Sequence, residues 1–207
     1  MNIIIVDYGI GNIRSIQNAF ERLGVTKPII AKNKETLRGA SGLVLPGVGA
    51  FSSCSNRLTE IGLFDFLGEL VTVYKKPILG ICVGMQLMAD SSTEGGLHKG
   101  LGWIPGTVER IDLPSEYRVP HVGWNTINII QEKPIFSRVE QNSHFYFDHS
   151  YHFICDDQYV VATTNYGISI TAAVRKENIF GVQFHPEKSS NSGLKFFRSY
   201  LNYIKEC

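Results

Sequence analysis

A chain of 207 residues, 43% hydrophobic and 19% charged, has the length and composition of an ordinary globular enzyme of one domain. Its formal net charge of +1 leaves no electrostatic footprint for a nucleic acid or an anionic membrane, and no apolar run approaches the roughly 20 residues a spanning helix needs. Cys54, Cys82, Cys155 and Cys207 are scattered, with neither a CxxC pair nor metal-ligand spacing, so no disulfide framework, no metal and a reducing, cytoplasmic setting are expected.

The first residues, Met1-Asn2-Ile3-Ile4-Ile5-Val6-Asp7, lack a basic leader and a cleavage site and read as a buried strand, not a signal peptide. A helical pattern follows over residues 13–23, then short apolar runs at 28–30 and 43–45. A second helical pattern covers 63–73, and Pro77-Ile78-Leu79-Gly80-Ile81 is bounded by turn residues. This strand-helix rhythm predicts parallel strands buried on both faces. Residues 91–102, rich in Gly, Ser and Thr, read as a surface loop. From residue 100 the texture changes to period-two runs at 107–111, 144–147 and 159–164, which favour antiparallel or mixed strands. A last buried strand is expected over 178–184 and a helix over 193–204, with Leu194, Phe197, Leu201 and Ile204 on one face. The expected fold is α/β, an open, mostly parallel twisted sheet flanked by helices with an additional β-rich second half, forming one domain over 1–207.

Gly80-Ile81-Cys82-Val83-Gly84 stands where a buried strand gives way to a helix over 85–89, the pattern of a nucleophile elbow with Cys in place of Ser. A turn that sharp leaves no room for a Cβ at Gly80 or Gly84, and the helix N-terminus would favour a thiolate at Cys82. A cysteine after an apolar run is as readily an inert core residue, so the elbow alone decides nothing. The partner base is sought among the histidines. His185, in Gln183-Phe184-His185-Pro186-Glu187, follows the last buried strand, and sites in open α/β sheets form at the carboxyl ends of strands. Pro186 fixes its own φ and biases His185 toward an extended backbone, so Glu187 can return to orient the imidazole. Cys82, His185 and Glu187 thus form a candidate catalytic triad.

Gly80-Ile81-Cys82-Val83-Gly84-Met85-Gln86 with His185-Pro186-Glu187 resembles the class I (triad) glutamine amidotransferases. Val6-Asp7-Tyr8-Gly9-Ile10-Gly11-Asn12, Pro46-Gly47-Val48-Gly49, Pro120-His121-Val122-Gly123-Trp124-Asn125, Tyr146-Phe147-Asp148-His149-Ser150-Tyr151 and Lys188-Ser189 narrow the resemblance to the glutaminase subunits of imidazole glycerol phosphate synthases. The resemblance implies oxyanion-hole N–H groups at Val48 and Val83. It also implies a glutamine pocket at Gly47, Gly49, Gln86, His149, Ser150 and Tyr151, and contacts with a synthase subunit through Asn12, Trp124, Tyr146 and Lys188. Trp124 read by itself fits a core position equally well.

Glutamine would be the substrate, no cofactor would be needed, and a (β/α)8-barrel cyclase would be the heterodimer partner. Ammonia would pass to that cyclase to form imidazole glycerol phosphate and the aminoimidazole carboxamide ribotide by-product of histidine biosynthesis. Asp148, where the family commonly has an apolar residue, and Leu87-Met88-Ala89-Asp90, in place of a run ending Phe-Glu, depart from the pattern. They keep a paralogous glutaminase for amidino-sugar synthesis in view. A thiol peptidase would have no use for the Gln86 and His149-Ser150-Tyr151 pocket, and a non-catalytic regulatory subunit would have no use for an intact triad.

Overall fold

The computed structural model describes residues 1–25 and 28–206; Cys207 lies outside the described residues. The apolar runs of the first half form β1 (Ile3–Val6), β2 (Ile29–Ala31), β3 (Gly42–Leu45) and β4 (Ile78–Ile81). Between them lie α1 (Ile13–Arg22), α2 (Lys34–Arg38), α3 (Phe51–Glu60) and α4 (Phe64–Gly68), the last running into a π-helical turn at Glu69–Val73. Then come α5 (Val83–Gln86), β5 (Ser91–Ser92), β6 (His98–Lys99), β7 (Gly106–Arg110), β8 (His121–Thr126) and β9 (Asn128–Ile129). They are followed by β10 (His144–His149), β11 (Tyr151–Cys155), β12 (Val160–Tyr166), β13 (Ile168–Lys176), β14 (Ile179–Val182) and α6 (Ser190–Glu206).

The central sheet has eight strands in the order β2-β1-β3-β4-β14-β13-β12-β9. From β2 to β14 the pairing is parallel, and β13, β12 and β9 continue it antiparallel. Every residue of β1, β3, β4 and β14 is buried, as expected of parallel strands covered on both faces. The register shows what covers them. Leu45 pairs with Gly80 and Gly80 with Gly181, so these three share a face, and a Cβ on Gly181 would lie 2.7 Å from Met85 of α5. Gly42, three residues before Leu45 and therefore on the opposite face, packs against Ile204 of α6. The inner side of α6 is broader than the apolar periodicity suggests. Phe196, Phe197, Tyr200, Leu201 and Ile204 are buried while Leu194 sits at the edge, and the Tyr200 hydroxyl donates to the Leu43 carbonyl at 2.8 Å.

Two smaller sheets, β11-β7-β5-β6 and β10-β8, make up the β-rich second half. Three sequence expectations change. The stretch 91–102 is not a plain loop, because β5 and β6 pair there and β5 joins β7. The helix expected over 85–89 is one turn, Val83–Gln86. The carbonyls of Leu87, Met88 and Ala89 instead accept from Leu101, from Trp103 and Ile104, and from Gly102. The last buried strand stops at Val182, two residues early, and His185 N–H donates to Tyr146 O at 2.8 Å, so the chain bends toward β10. No helix among the described residues is long and apolar enough to cross a membrane.

A Cβ on Gly84 would strike the Leu45 carbonyl oxygen, an atom of the sheet backbone that has nowhere to move. Gly84→Ala should therefore lower stability by about 1–3 kcal/mol, read as a fall in the urea midpoint at unchanged m-value. A midpoint equal to wild type would show that the elbow is not sterically held.

Candidate active site

Cys82 sits at φ 55°, ψ −115°, where a non-glycine residue costs on the order of 1–3 kcal/mol and persists only if its surroundings impose it. They do. Its N–H donates to Val182 O at 2.8 Å, tying it to β14, and its carbonyl accepts from Met85 and Gln86 at 2.9 and 3.2 Å. A Cβ on Gly80 would lie 2.5 Å from the Gly84 carbonyl oxygen, and one on Gly47 would lie 2.5 Å from the Gly84 nitrogen. The loop after β3 thus runs directly over the elbow. Leu45, Ile81 and Val182 end three adjacent parallel strands, so Gly47-Val48, Cys82 and His185 emerge side by side.

The His185 imidazole Nδ1 and Glu187 Oε1 are 2.8 Å apart, with 3% and 1% of the two side chains exposed. Pro186 opens the 3-10 turn Pro186–Lys188, and Ser189 Oγ–H donates to the His185 carbonyl at 2.6 Å, closing it. Burial by itself would lower the His185 pKa. Hydrogen bonds to Cys82 and Glu187, and their negative charge, override it and raise the value to about 10. His185 is therefore a cation at neutral pH beside the Cys82 sulfur. Among the described residues the buried Glu187 Oε2 has no hydrogen-bond partner, so the imidazolium is the chief compensation for that carboxylate.

The cleft above Cys82 has a volume of about 280 Å³. Cys82, Val83, Gln86 and His185 line it together with Val48 and Gly49 on one side and His149, Ser150 and Tyr151 on the other; Gly47 is buried beneath. The Pro46-Gly47-Val48-Gly49 loop is held from below. Tyr8 O–H donates to Pro46 O at 2.7 Å and the Cys54 thiol to Val48 O at 3.5 Å, and burial raises the pKa of both donors so that they keep their protons. Gly49, at φ +78°, supplies the bend.

Further residues in and behind the cleft lie outside the motifs. Glu94, between β5 and β6, lines the cleft and accepts from Phe51 N–H at 2.6 Å. Gln183, fully buried, has its Nε2 3.7 Å from Cys82 Sγ. Behind His149 runs a directed chain. His149 Nδ1–H donates to Tyr151 O at 2.8 Å, leaving Nε2 to accept from His121 Nδ1–H at 3.0 Å, and His121 Nε2 accepts from Asn125 at 3.2 Å. Burial holds the pKa of His149 down to about 3 and that of His121 to about 4, so both rings are neutral and these tautomers follow. The polar residue between buried neighbours in Val182-Gln183-Phe184 was a signal for Gln183; nothing local marked Glu94 or the histidine chain.

Trp124 is 53% exposed, so its core reading fails. It pairs with Tyr146 across β8 and β10, their rings edge to face at 6.2 Å, and Lys188 Nζ lies 5.2 Å from the Tyr146 ring and 3.9 Å from the Asp148 carboxylate. Trp124, Tyr146, Asp148 and Lys188 thus form one surface that runs into the cleft, whose lining Asp148 and Lys188 join. Asn12, partly exposed just before α1, lines none of the cleft.

A family model described as glutamine amidotransferase class-I matches residues 4–201. The chain belongs to this family. Among similar amidotransferases, imidazole glycerol phosphate synthase subunit HisH 2 of Vibrio vulnificus (strain YJ016) is 48% identical, over 99% of this chain and 96% of that one. The subunit named HisH of Pelagibacter ubique (strain HTCC1062) is also 48% identical, over 98% and 100%, and that of Archaeoglobus fulgidus 44%, over 98% and 99%. A solved glutamine amidotransferase superposes with a TM-score of 0.76 at 21% identity over 98% of both chains. PurLQS from Thermotoga maritima gives 0.70 at 21%, over 98% of both. Those two share the amidotransferase fold, and their identities carry nothing further.

The raised His185 value fixes the sign of a pH effect. Its contribution to the stability of this amidotransferase is fully present below the ordinary 6.5 and is lost as pH rises through about 10. Cys82→Ala removes a hydrogen bond and a charge that hold the value up, so His185 should titrate at lower pH in the variant, followed by NMR of the imidazole. An unchanged titration would show that the sulfur does not interact with the ring.

Proposed function

We propose that this chain, acting as one domain over 1–207, is the glutaminase subunit of an imidazole glycerol phosphate synthase, hydrolysing glutamine and passing the ammonia to a (β/α)8-barrel cyclase. The observation that carries the chemistry is that Cys82 and His185 open on one cleft with Glu187 buried behind the imidazole. The histidine-pathway assignment rests on full-length relatives that carry that subunit's name at 48% identity.

In this reading the Cys82 thiolate attacks the side-chain amide carbon of glutamine. The developing oxyanion is met by the N–H groups of Val83 and Val48, each worth on the order of 3 kcal/mol. His185 gives its proton to the departing ammonia, a γ-glutamyl thioester forms, and water activated by the same ring releases glutamate. Glu187 holds the ring and balances its charge. Glu94, with one oxygen on Phe51 N–H, offers the other to the substrate ammonium, while Gln86 and the His149-Ser150-Tyr151 wall hold the rest of the amino-acid end.

Ammonia released to bulk water at neutral pH is protonated and no longer nucleophilic, so a docked synthase must receive it directly. The Trp124, Tyr146 and Lys188 surface beside the cleft, with Asn12, is the proposed contact, and an exposed Trp and Tyr are suited to anchor it. Uncoupled hydrolysis would waste glutamine, and the glycines flanking Val48 allow the donor loop to become productive only in the complex. A reducing compartment keeps a thiol nucleophile free, and a cytoplasmic setting is part of this proposal.

Reconstitution with the cyclase tests this. Cys82→Ala should lose glutamine-dependent formation of imidazole glycerol phosphate by at least about 10³-fold yet leave synthesis from ammonium salts intact. No product from either nitrogen source with the wild-type chain would contradict the pathway, and transfer to an amino-sugar acceptor would favour the polysaccharide paralogue. Glutamine turnover by the isolated chain as fast as by the acceptor-bound complex would contradict the coupling.

A further inference from the structure

We propose that Gln183 is a positioning residue that sets both the ionisation of the Cys82 sulfur and the orientation of the Gln86 amide, through one hydrogen-bonded chain. The chain has a fixed direction. Gln86 Nε2 donates to Tyr151 O at 3.0 Å and to Gln183 Oε1 at 2.9 Å, which uses both of its hydrogens. Gln183 Oε1 must therefore accept, and its Nε2 faces Cys82 Sγ at 3.7 Å. The flipped amide would set two NH2 groups against each other and turn a carbonyl oxygen toward the sulfur.

Two consequences follow. An N–H aimed at sulfur from a fully buried amide favours the thiolate, since the low local dielectric strengthens the interaction. The need is real here, because α5 is a single turn and contributes little of the helix-end field that a longer elbow helix would supply. At the other end, a Gln86 amide with both hydrogens engaged leaves its carbonyl oxygen for the cleft, where it can only accept. That suits the ammonium or carboxamide N–H groups of an amino-acid substrate and rejects a second carboxylate, so glutamate is disfavoured at that position. Gln183 itself lines none of the cleft and acts through its two neighbours.

This inference rests on Cys82 being the nucleophile, and the test separates the two claims. The full chain is treated with iodoacetamide across a range of pH and alkylation is read at each cysteine by peptide mass spectrometry, with Cys54, Cys155 and Cys207 as internal comparators. In Gln183→Met the inflection of Cys82 alkylation should move up by about one pH unit, making the reaction about tenfold slower below it. In the near-isosteric Gln183→Glu it should move further, because a carboxylate replaces the donor. Both variants should also raise the KM for glutamine as Gln86 loosens. A purely structural Gln183 would lower the melting temperature and leave the inflection in place; a wild-type inflection in either folded variant overturns the proposal. If wild-type Cys82 alkylates with the same pH profile as Cys54 and Cys155, the nucleophile assignment falls with it.

Discussion

The backbone of Cys82 is held in a conformation that side chains avoid, and the surrounding construction serves to hold it there. Gly80, Gly84 and Gly47 make the room, β14 accepts the Cys82 N–H, and the loop after β3 packs over the elbow with no space for a further carbon. Strain of this kind survives only in a rigid frame, which the fully buried parallel strands provide. The frame also brings a second constraint. A buried carboxylate with one bare oxygen, a buried imidazole and a sulfur form a charge set in which deleting any member leaves the others uncompensated.

The cleft and the exposed surface beside it share their supports. β8 carries Val122 and Trp124 outward and His121 and Asn125 inward, where the neutral His121 and His149 rings anchor the wall at residues 149–151. β10 carries Tyr146 outward, and the Tyr146 carbonyl accepts from the His185 N–H while its own N–H donates to Ser189 Oγ. The turn after His185 presents Lys188 to the same surface. Each strand of this small sheet thus faces the outer surface with one residue and the buried wall of the candidate site with the next, as the period-two geometry of a strand allows.

The elements that the sequence disclosed are those whose chemistry is local. Glycines at fixed offsets around Cys82, a proline between His185 and Glu187, and apolar runs of strand length each state their own reason. What stayed hidden depends on partners distant in the chain. Residues 91–102 look like a loop because β5 and β6 are two-residue strands that take their order from β7, and this concealed Glu94. The elbow helix stops early because the N–H groups of Met88 and Ala89 turn to carbonyls only three residues back, on Met85 and Gln86, and backbone donors from residues 101–104 take the carbonyls of Leu87, Met88 and Ala89. Gln183 passed as one more residue of a buried strand; its importance lies in contacts with Gln86 and Cys82 that span about a hundred positions. Trp124 was undecidable from its neighbours, since exposure is set by which face of β8 meets the core.

The central claim is that Cys82 carries the glutamyl group, and the intermediate itself tests it most directly. The chain is mixed with isotopically labelled glutamine, in complex with the proposed synthase partner, and quenched in acid during turnover; proteolytic peptides are then examined for a γ-glutamyl adduct. The account predicts label on the peptide containing Cys82, released as glutamate at mild alkaline pH and absent from Cys82→Ser. Label on another residue, or glutamate formation by wild type with no adduct on Cys82 under any quench, would contradict it.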